Sequence, residues 1–429
     1  MKSKSKKVLG WGAAVVAIAA VGAGIASWQP SIAPLKETDH QTFSAEQIAR
    51  GEKLAALGDC AVCHTRPGGE RNTGGLAMTI PFGTIYSTNI TPDRETGIGS
   101  WSYPAFERAM RHGVDRDGHY LYPAFPYTSF TRTSDEDLQA LYAWLMSQPP
   151  VRYQPPETRL NFPFNIRQGI AAWNWLVLQP GAMQPDPAHD RAWNRGAYLT
   201  EGLGHCSACH SPRNMLFAEQ GGKAHLSGGV AEGWNAPALT AHSNAPISWN
   251  YADLLGFMRS GYSANHGVAA GPMGPVVNEG LSQLPEEDLQ AMAVYLASFN
   301  QPQPDDDAAA VKQQLLHRET QAKTLASEGA RLYSGACMAC HAQSEGAPLA
   351  GVRPALSLNT NLNDASPDNA IRVVLNGIAA PALGTMPAFA GHLSDRQIAV
   401  LLNYLRTEQA GKAAWPDLQQ RVTALRNAR

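Results

Sequence analysis

No Gly-x-Gly-x-x-Gly fingerprint lies in a strand–helix context anywhere in the 429 residues, so no dinucleotide-binding unit is encoded here. Neither sign of charge is in excess. The 34 basic and 36 acidic side chains nearly cancel, which argues against nucleic acid or a strongly steered partner. Cysteine is scarce, six residues in all, and charge is missing altogether from Val8 to Trp28. Glycine and proline, by contrast, are plentiful (39 and 30), as suits compact helices joined by long ordered loops. A chain of this length has room for about three domains.

All six cysteines fall in three copies of one pentapeptide: Cys60-Ala-Val-Cys63-His64, Cys206-Ser-Ala-Cys209-His210 and Cys337-Met-Ala-Cys340-His341. This spacing puts two thiols one helical turn apart, where they can add to the two vinyl groups of one haem. The adjacent histidine then reaches the iron as proximal ligand. A single copy could be a zinc site or a redox dithiol. Three copies with no cysteine left over read as a c-type cytochrome with three covalent haems.

Lys2, Lys4, Lys6 and Lys7 precede the uncharged run, an arrangement that keeps the N-terminus cytoplasmic and exports the remainder of the chain. Residues 1–28 are therefore a signal anchor or a signal peptide. Gly24-Ile25-Ala26 offers a small-residue cleavage site, while the length of the run and its flanking Trp11 and Trp28 favour a retained anchor. Either fate places the rest at the periplasmic face of a bacterial inner membrane, where c-type haem is attached.

The repeat extends beyond the pentapeptide. Arg50-Gly51, Arg195-Gly196 and Glu328-Gly329 each precede a first motif cysteine by eight to ten residues and lie on a helix running into the motif. An amphipathic helix ending in glycine comes next, at Gly113, Gly261 and Gly377; in the first two copies it opens on Trp101 and Trp249. A closing helix spans Leu138–Leu145, Leu289–Leu296 and Ile398–Leu405, with Trp144, Tyr295 and Tyr404 in register as core. Ser134 with Asp137, Pro285 at a first helical position, and a Ser394–Gln397 capping box mark its starts.

The expected fold is thus all-α, three tandem class I cytochrome c-like domains at 42–148, 191–300 and 321–408. A Pro-rich linker spans 149–190, an exposed connector opening Gln-Pro-Gln-Pro-Asp-Asp-Asp spans 301–320, and a tail with at most a short amphipathic helix ends the chain at 409–429. The first linker holds an apolar island, Asn161 to Leu178, with Trp173 and Trp175. It is either inter-domain packing or a surface for a partner subunit or the membrane.

Counting from the glycine landmark locates a sixth iron ligand. Gly261 plus twelve is Met273, and Gly377 plus nine is Met386, both in loops beside proline. In the first copy Gly113 plus twelve is Phe125, which has no lone pair for iron. That iron is either open, or ligated by another side chain (His112, His119, Met110 and Met78 are candidates), or served by a shifted loop.

With the domains laid out, residues 42–410 resemble the triple-haem cytochrome c subunits of membrane-bound bacterial dehydrogenases for alcohol, aldehyde, gluconate and fructose, and the similar cytochromes beside molybdenum hydroxylases of the nicotinate and isoquinoline type. The resemblance is carried by Arg50-Gly51, Leu57-Gly-Asp-Cys-Ala-Val-Cys-His-Thr65, Gly74-Gly75 and Pro81-Phe-Gly-Thr-Ile-Tyr-Ser-Thr-Asn-Ile-Thr-Pro-Asp93. It continues in Leu121-Tyr-Pro-Ala, Gly204-His-Cys-Ser-Ala-Cys-His-Ser-Pro-Arg213, Met273-Gly and Met386-Pro. Alcohol dehydrogenase members carry methionine where Phe125 stands here, so the departure leans toward a molybdenum-containing aldehyde or N-heterocycle dehydrogenase as partner.

The resemblance implies a relay. A partner subunit oxidises substrate, this chain carries the electrons, and ubiquinone or a terminal oxidase receives them. On that reading the chain has no substrate-oxidising site of its own. The competing class is a haem peroxidase using an open first iron. Against it, the region of Phe125 shows no acid–base pair, and Asp115 and Asp117 read as solvated turn residues.

Overall fold

Glycine decides how closely the helices of this protein approach one another. A computed structural model describes residue 22 and residues 24–39, 41–300, 307–322, 326–341, 354–380 and 383–428. The expected signal anchor or signal peptide, up to residue 21, and the acidic stretch at 301–306 lie outside the described residues. The chain clusters into two compact units, residues 1–54 with 63–183, and residues 55–62 with 184–429.

In the first unit the helix Ala45–Leu57 crosses Asp135–Ser147 at Gly51, where a methyl group would stand 2.0 Å from the Ala140 carbonyl oxygen. The second unit holds two such pairs. Arg191–Glu201 crosses Glu286–Ala297 at Gly196, 2.0 Å from the Ala291 oxygen on the same construction, and Glu328–Ala336 crosses Asp395–Tyr404 at Gly329, 2.4 Å from Tyr404 Cβ. Trp144, Tyr295 and Tyr404 are buried in these pairs.

Beside each glycine an ion pair ties the same two helices. Arg50 Nε meets Asp137 Oδ1 at 2.6 Å, and Arg195 meets Asp288 through two bonds of 2.8 and 2.9 Å. In the third pair the polarity is reversed: Arg396, on the closing helix, donates to Glu328 at 2.5 and 3.0 Å. Asp288 is mostly buried while Glu328 and Arg396 are open to water, which screens them. Asp288→Ala is therefore expected to cost about 1–2 kcal/mol by leaving the guanidinium without its bidentate partner. Arg396→Ala should shift the denaturation midpoint undetectably; urea titration of the two variants compares them.

The closing helices start where their caps require. Ser134 Oγ accepts from Asp137 N–H, and Ser394 with Gln397 forms a full capping box. Pro285 is the N-cap residue, one position before the expected first helical turn, because its extended ψ of 142° lies outside the helix. A further box joins Ser44 and Gln47 at the start of Ala45–Leu57.

The landmark glycines end the helices Tyr103–His112, Tyr251–Ser260 and Asp368–Asn376. Gly113 and Gly261 adopt the left-handed conformation expected. Gly377 departs from it, with φ 72° and ψ −174°, because the chain turns directly into a bridge between Ile378 and Met386.

The fold is mostly helical but not purely so. The returning chain must satisfy its own backbone groups, and it does so in short ladders. Ala77–Ile80, Gly83–Tyr86 and Arg159–Leu160 form one antiparallel sheet, and Gly229–Ala231 with Trp234–Ala236, and Tyr262–Ser263 with Gly267–Val268, form two hairpins. Arg159–Leu160 comes from the Pro-rich segment, which belongs to the first unit as far as Met183. The connector after residue 307 is the helix Ala308–Ala322, and the C-terminal helix Leu418–Asn427 buries Leu418, Val422 and Leu425 at helical spacing against the third helix pair.

Candidate haem sites

Each motif forms a single short helix, at Cys60–His64, Ser207–His210 and Met338–His341. The preceding residue in the first two copies, Asp59 or His205, turns the chain sharply through a positive φ of 51° or 34°.

The histidines of the first two motifs are held in one way. After the first motif, Gly74 N–H donates to the His64 carbonyl, the hairpin Ala77–Ile80/Gly83–Tyr86 comes next, and Thr88 O then faces His64 Nδ1 at 2.6 Å. In the second, Gly228 N–H donates to the His210 carbonyl, a hairpin intervenes, and Pro237 O faces His210 Nδ1 at 2.7 Å. In the third copy the Pro354 backbone acts on His341 against the effect of its burial. A carbonyl accepting from Nδ1–H leaves the Nε2 lone pair for iron and fixes the ring plane. Burial holds all three imidazoles below the usual histidine range, partly offset by these backbone groups, so they stay neutral as ligation needs. Sequence reasoning misses these carbonyl partners; the glycines after the first two motifs are the available signal.

Burial pushes the Cys209 and Cys337 thiols up to about 11 and Cys206 higher still. A redox dithiol needs the opposite shift, so these are poor thiolates.

The second motif opens on a cavity lined by Cys206, Cys209 and His210 and by Met273, which stands at the start of the short helix Met273–Pro275 and not in the loop expected. Leu254, Phe257, Met258, Leu281, Met292 and Leu296 make it apolar. Within this lining Trp249 Nε1 is a buried donor that no described protein atom meets, and His266 is fully buried, stacked at 3.6 Å on the same indole. His266 Nε2 faces Asp253 at 3.6 Å, whereas the indole N–H is unmet. An apolar slot with thiols and imidazole on the wall and an orphaned donor inside fits a porphyrin with acidic substituents. Cys337, Cys340 and His341 likewise share a cavity with Met386, walled by Val374, Phe389, Leu401, Leu402 and Leu405. Two hydrogen bonds of 3.0 Å to Ile378 fix the backbone of Met386.

The first motif is different. Phe125 packs edge-on against Phe130 at 5.3 Å and near Tyr127. Met110 is buried in the core and Met78 is half-buried on the strand Ala77–Ile80. His112 is exposed at a helix end, and His119 is exposed 3.2 Å from Asp115. Asp115 Oδ1 accepts from the backbone of Asp117 and His119, and Asp117 pairs with Arg116, so both aspartates build a turn.

Leu57 and Asp59, from the approach to the first motif, belong to the second unit and line the second cavity. Burial first, and Glu279 second, raise the Asp59 carboxyl to about 7. The folded state thus holds this proton more tightly than the unfolded chain does. Its stability contribution is intact below the ordinary aspartate range and is lost as pH rises toward 7. Asp59→Asn should remove that slope and raise stability by roughly 4 kcal/mol at pH 8. Urea midpoints at pH 5 and pH 8 read it out; parallel slopes in variant and parent would refute the assignment.

Comparison with known proteins agrees with this chemistry. A cytochrome c family model matches residues 48–149, and the model for cytochrome c oxidase, cbb3-type, subunit III matches residues 324–405. A nicotinate dehydrogenase subunit of Pseudomonas putida is 51% identical over 93% of this chain, which spans about a third (33%) of that relative's length. The gluconate 2-dehydrogenase cytochrome c subunit of Pantoea cypripedii is 39% identical, covering 84% of this chain and 85% of its own. The fructose dehydrogenase cytochrome subunit of Gluconobacter japonicus is 36% identical over 83% and 78%. The chain belongs to the family of cytochrome c subunits of bacterial dehydrogenases.

Proposed function

We propose that this protein is a triple-haem electron relay at the periplasmic face of the inner membrane. It takes electrons from a dehydrogenase subunit that oxidises an N-heterocycle or aldehyde and passes them to ubiquinone or a terminal oxidase. The observation that carries this reading is the convergence, in two separate cavities, of two cysteines, a histidine and a methionine. Covalent haem, when bound, supplies one-electron chemistry. Cys60, Cys63, Cys206, Cys209, Cys337 and Cys340 would attach it. His64, His210 and His341 would ligate from one side, with Met273 and Met386 opposite the last two. Phe125 leaves the first iron without a methionine at that point.

The similarity to a nicotinate dehydrogenase subunit favours an N-heterocycle-oxidising, molybdenum-containing partner. A pyridine haemochrome assay should count three haems per chain. Mixed with its partner and nicotinate, the protein should become reduced; alone with nicotinate it should stay oxidised. Substrate turnover by the pure single chain would refute the relay.

A further inference from the structure

The first unit turns a set of large apolar side chains outward. Phe162 is 79% exposed, Trp175 63% and Leu176 74%, with Phe164 and Ile166 about half exposed. This is not a loose loop. The helix Gly169–Val177 buries Ile170 and Ala171 against Val114 and Tyr120. Its Asn174 accepts from the Tyr127 hydroxyl at 2.7 Å and donates to the His112 carbonyl. With those three residues facing in, helical spacing sets Ala172, Trp175 and Leu176 on the outer face. From Asn161 to Pro185 the only ionisable side chain is Arg167. It is turned back onto the unit, donating to the Tyr120 carbonyl at 2.8 Å and lying over the Tyr122 ring.

The same tyrosine receives the chain as it leaves the apolar N-terminal run. Gln29 Nε2 donates to the Tyr120 hydroxyl, Ile32 N–H donates to the Arg116 carbonyl, and Arg108 donates to the Pro30 carbonyl. Just before them, Ile25 and Trp28 are exposed. The uncharged run from Val8 to Trp28 is 21 residues, the length that matches a bilayer's hydrocarbon core, with four lysines ahead of it. If retained as an anchor, such a run leaves no slack between the membrane surface and Gln29.

We propose that the face formed by Phe162, Phe164, Ile166, Trp175 and Leu176 lies in the interfacial layer of the phospholipid bilayer, with Tyr120 tying it to the point where the chain emerges. This rests on the membrane reading above. Aromatic and aliphatic side chains without charge suit the headgroup–acyl boundary, and the tether holds this face beside it.

The test uses the full-length haem-loaded protein in vesicles of phosphatidylethanolamine and phosphatidylglycerol. A trace of phospholipid carries a diazirine in its acyl chain. After flotation and illumination, lipid adducts are expected on the tryptic peptides Leu160–Arg167 and Gln168–Arg191. They should fall to background in a variant combining Phe164→Ser, Trp175→Ser and Leu176→Ser that keeps its haem spectrum and still floats. Floating protein labelled only elsewhere, or labelled equally in the variant, overturns the proposal while leaving membrane attachment intact. Adducts that vanish when the dehydrogenase subunit binds assign the face to that protein and also overturn it. Protein that does not float at all overturns both this proposal and the membrane reading.

Discussion

On the proposed three-haem relay, replacing Met273 with leucine should drop the potential of one haem and leave the others in place. Met273 lines the cavity that also holds Cys206, Cys209 and His210, and leucine keeps the apolar volume while removing the sulfur. Thioether sulfur favours ferrous over ferric iron, so its loss lowers the potential. If that preference falls a thousandfold, the drop is on the order of 180 mV, at about 59 mV per tenfold change for one electron. In a spectroelectrochemical titration one Nernst component should move down and the corresponding iron should become high-spin. Electron delivery through that site becomes less favourable, and reduction of the acceptor should slow. Met386→Leu is expected to act likewise on the third site, where Met386 shares the wall with His341. An unchanged titration in both variants would remove methionine from the ligand set.

The second large effect concerns the crossing glycines. Gly51→Ala and Gly196→Ala each force a methyl group to within 2.0 Å of a backbone carbonyl oxygen on the partner helix, an oxygen fixed by its own helix. The helices must separate, and separation loosens the burial of Trp144 or Tyr295 behind them. Overpacking that only backbone movement can relieve should cost about 4 kcal/mol or more, at the severe end for single substitutions. Gly329→Ala meets Tyr404 Cβ at 2.4 Å, an atom its own helix backbone fixes, so the helices must separate there too, although the closest carbonyl is 3.2 Å away, at Val400. Calorimetric scans of the three variants check this: one transition should fall sharply in each, and parent-like scans would refute the close crossing.

These glycines also show how far the sequence alone can be read. Arg50-Gly51, Arg195-Gly196 and Glu328-Gly329 stand out as a recurring landmark. Their reason, a helix crossing at contact distance, is a property of pairs far apart in the chain. The register of Trp144, Tyr295 and Tyr404 is visible because helix period and capping residues are local signals. For the same reason the closing helices begin within a residue or two of their Ser134, Pro285 and Ser394 markers. Counting along the repeat finds Met273 and Met386, and each lines a cavity with its histidine. Thr88 and Pro237 are invisible to it, because a carbonyl has no side-chain signature. Trp249 is marked in the sequence only as a helix opener, and His266 is not marked at all. Nothing in the local sequence tells that the indole of one stacks on the imidazole of the other inside a pocket. The helix Ala308–Ala322 reads as connector because its proline- and aspartate-rich approach masks an ordinary helical stretch.

The assignment of residues 55–62 to the second unit bears on how such a chain could be divided. Tandem repeats invite the view of beads that duplicate, shuffle and survive alone. Here the second bead borrows part of its wall from the peptide that begins the first motif. Leu57 lies 3.3 Å from where a side chain on Gly204 would begin, and Ala56 and Asp59 crowd Gly280 in the same manner at 2.8 Å. A gene fragment starting at residue 184 would leave both glycines bare and the cavity unlined on that side. A cut between the first and second repeats therefore has no clean seam.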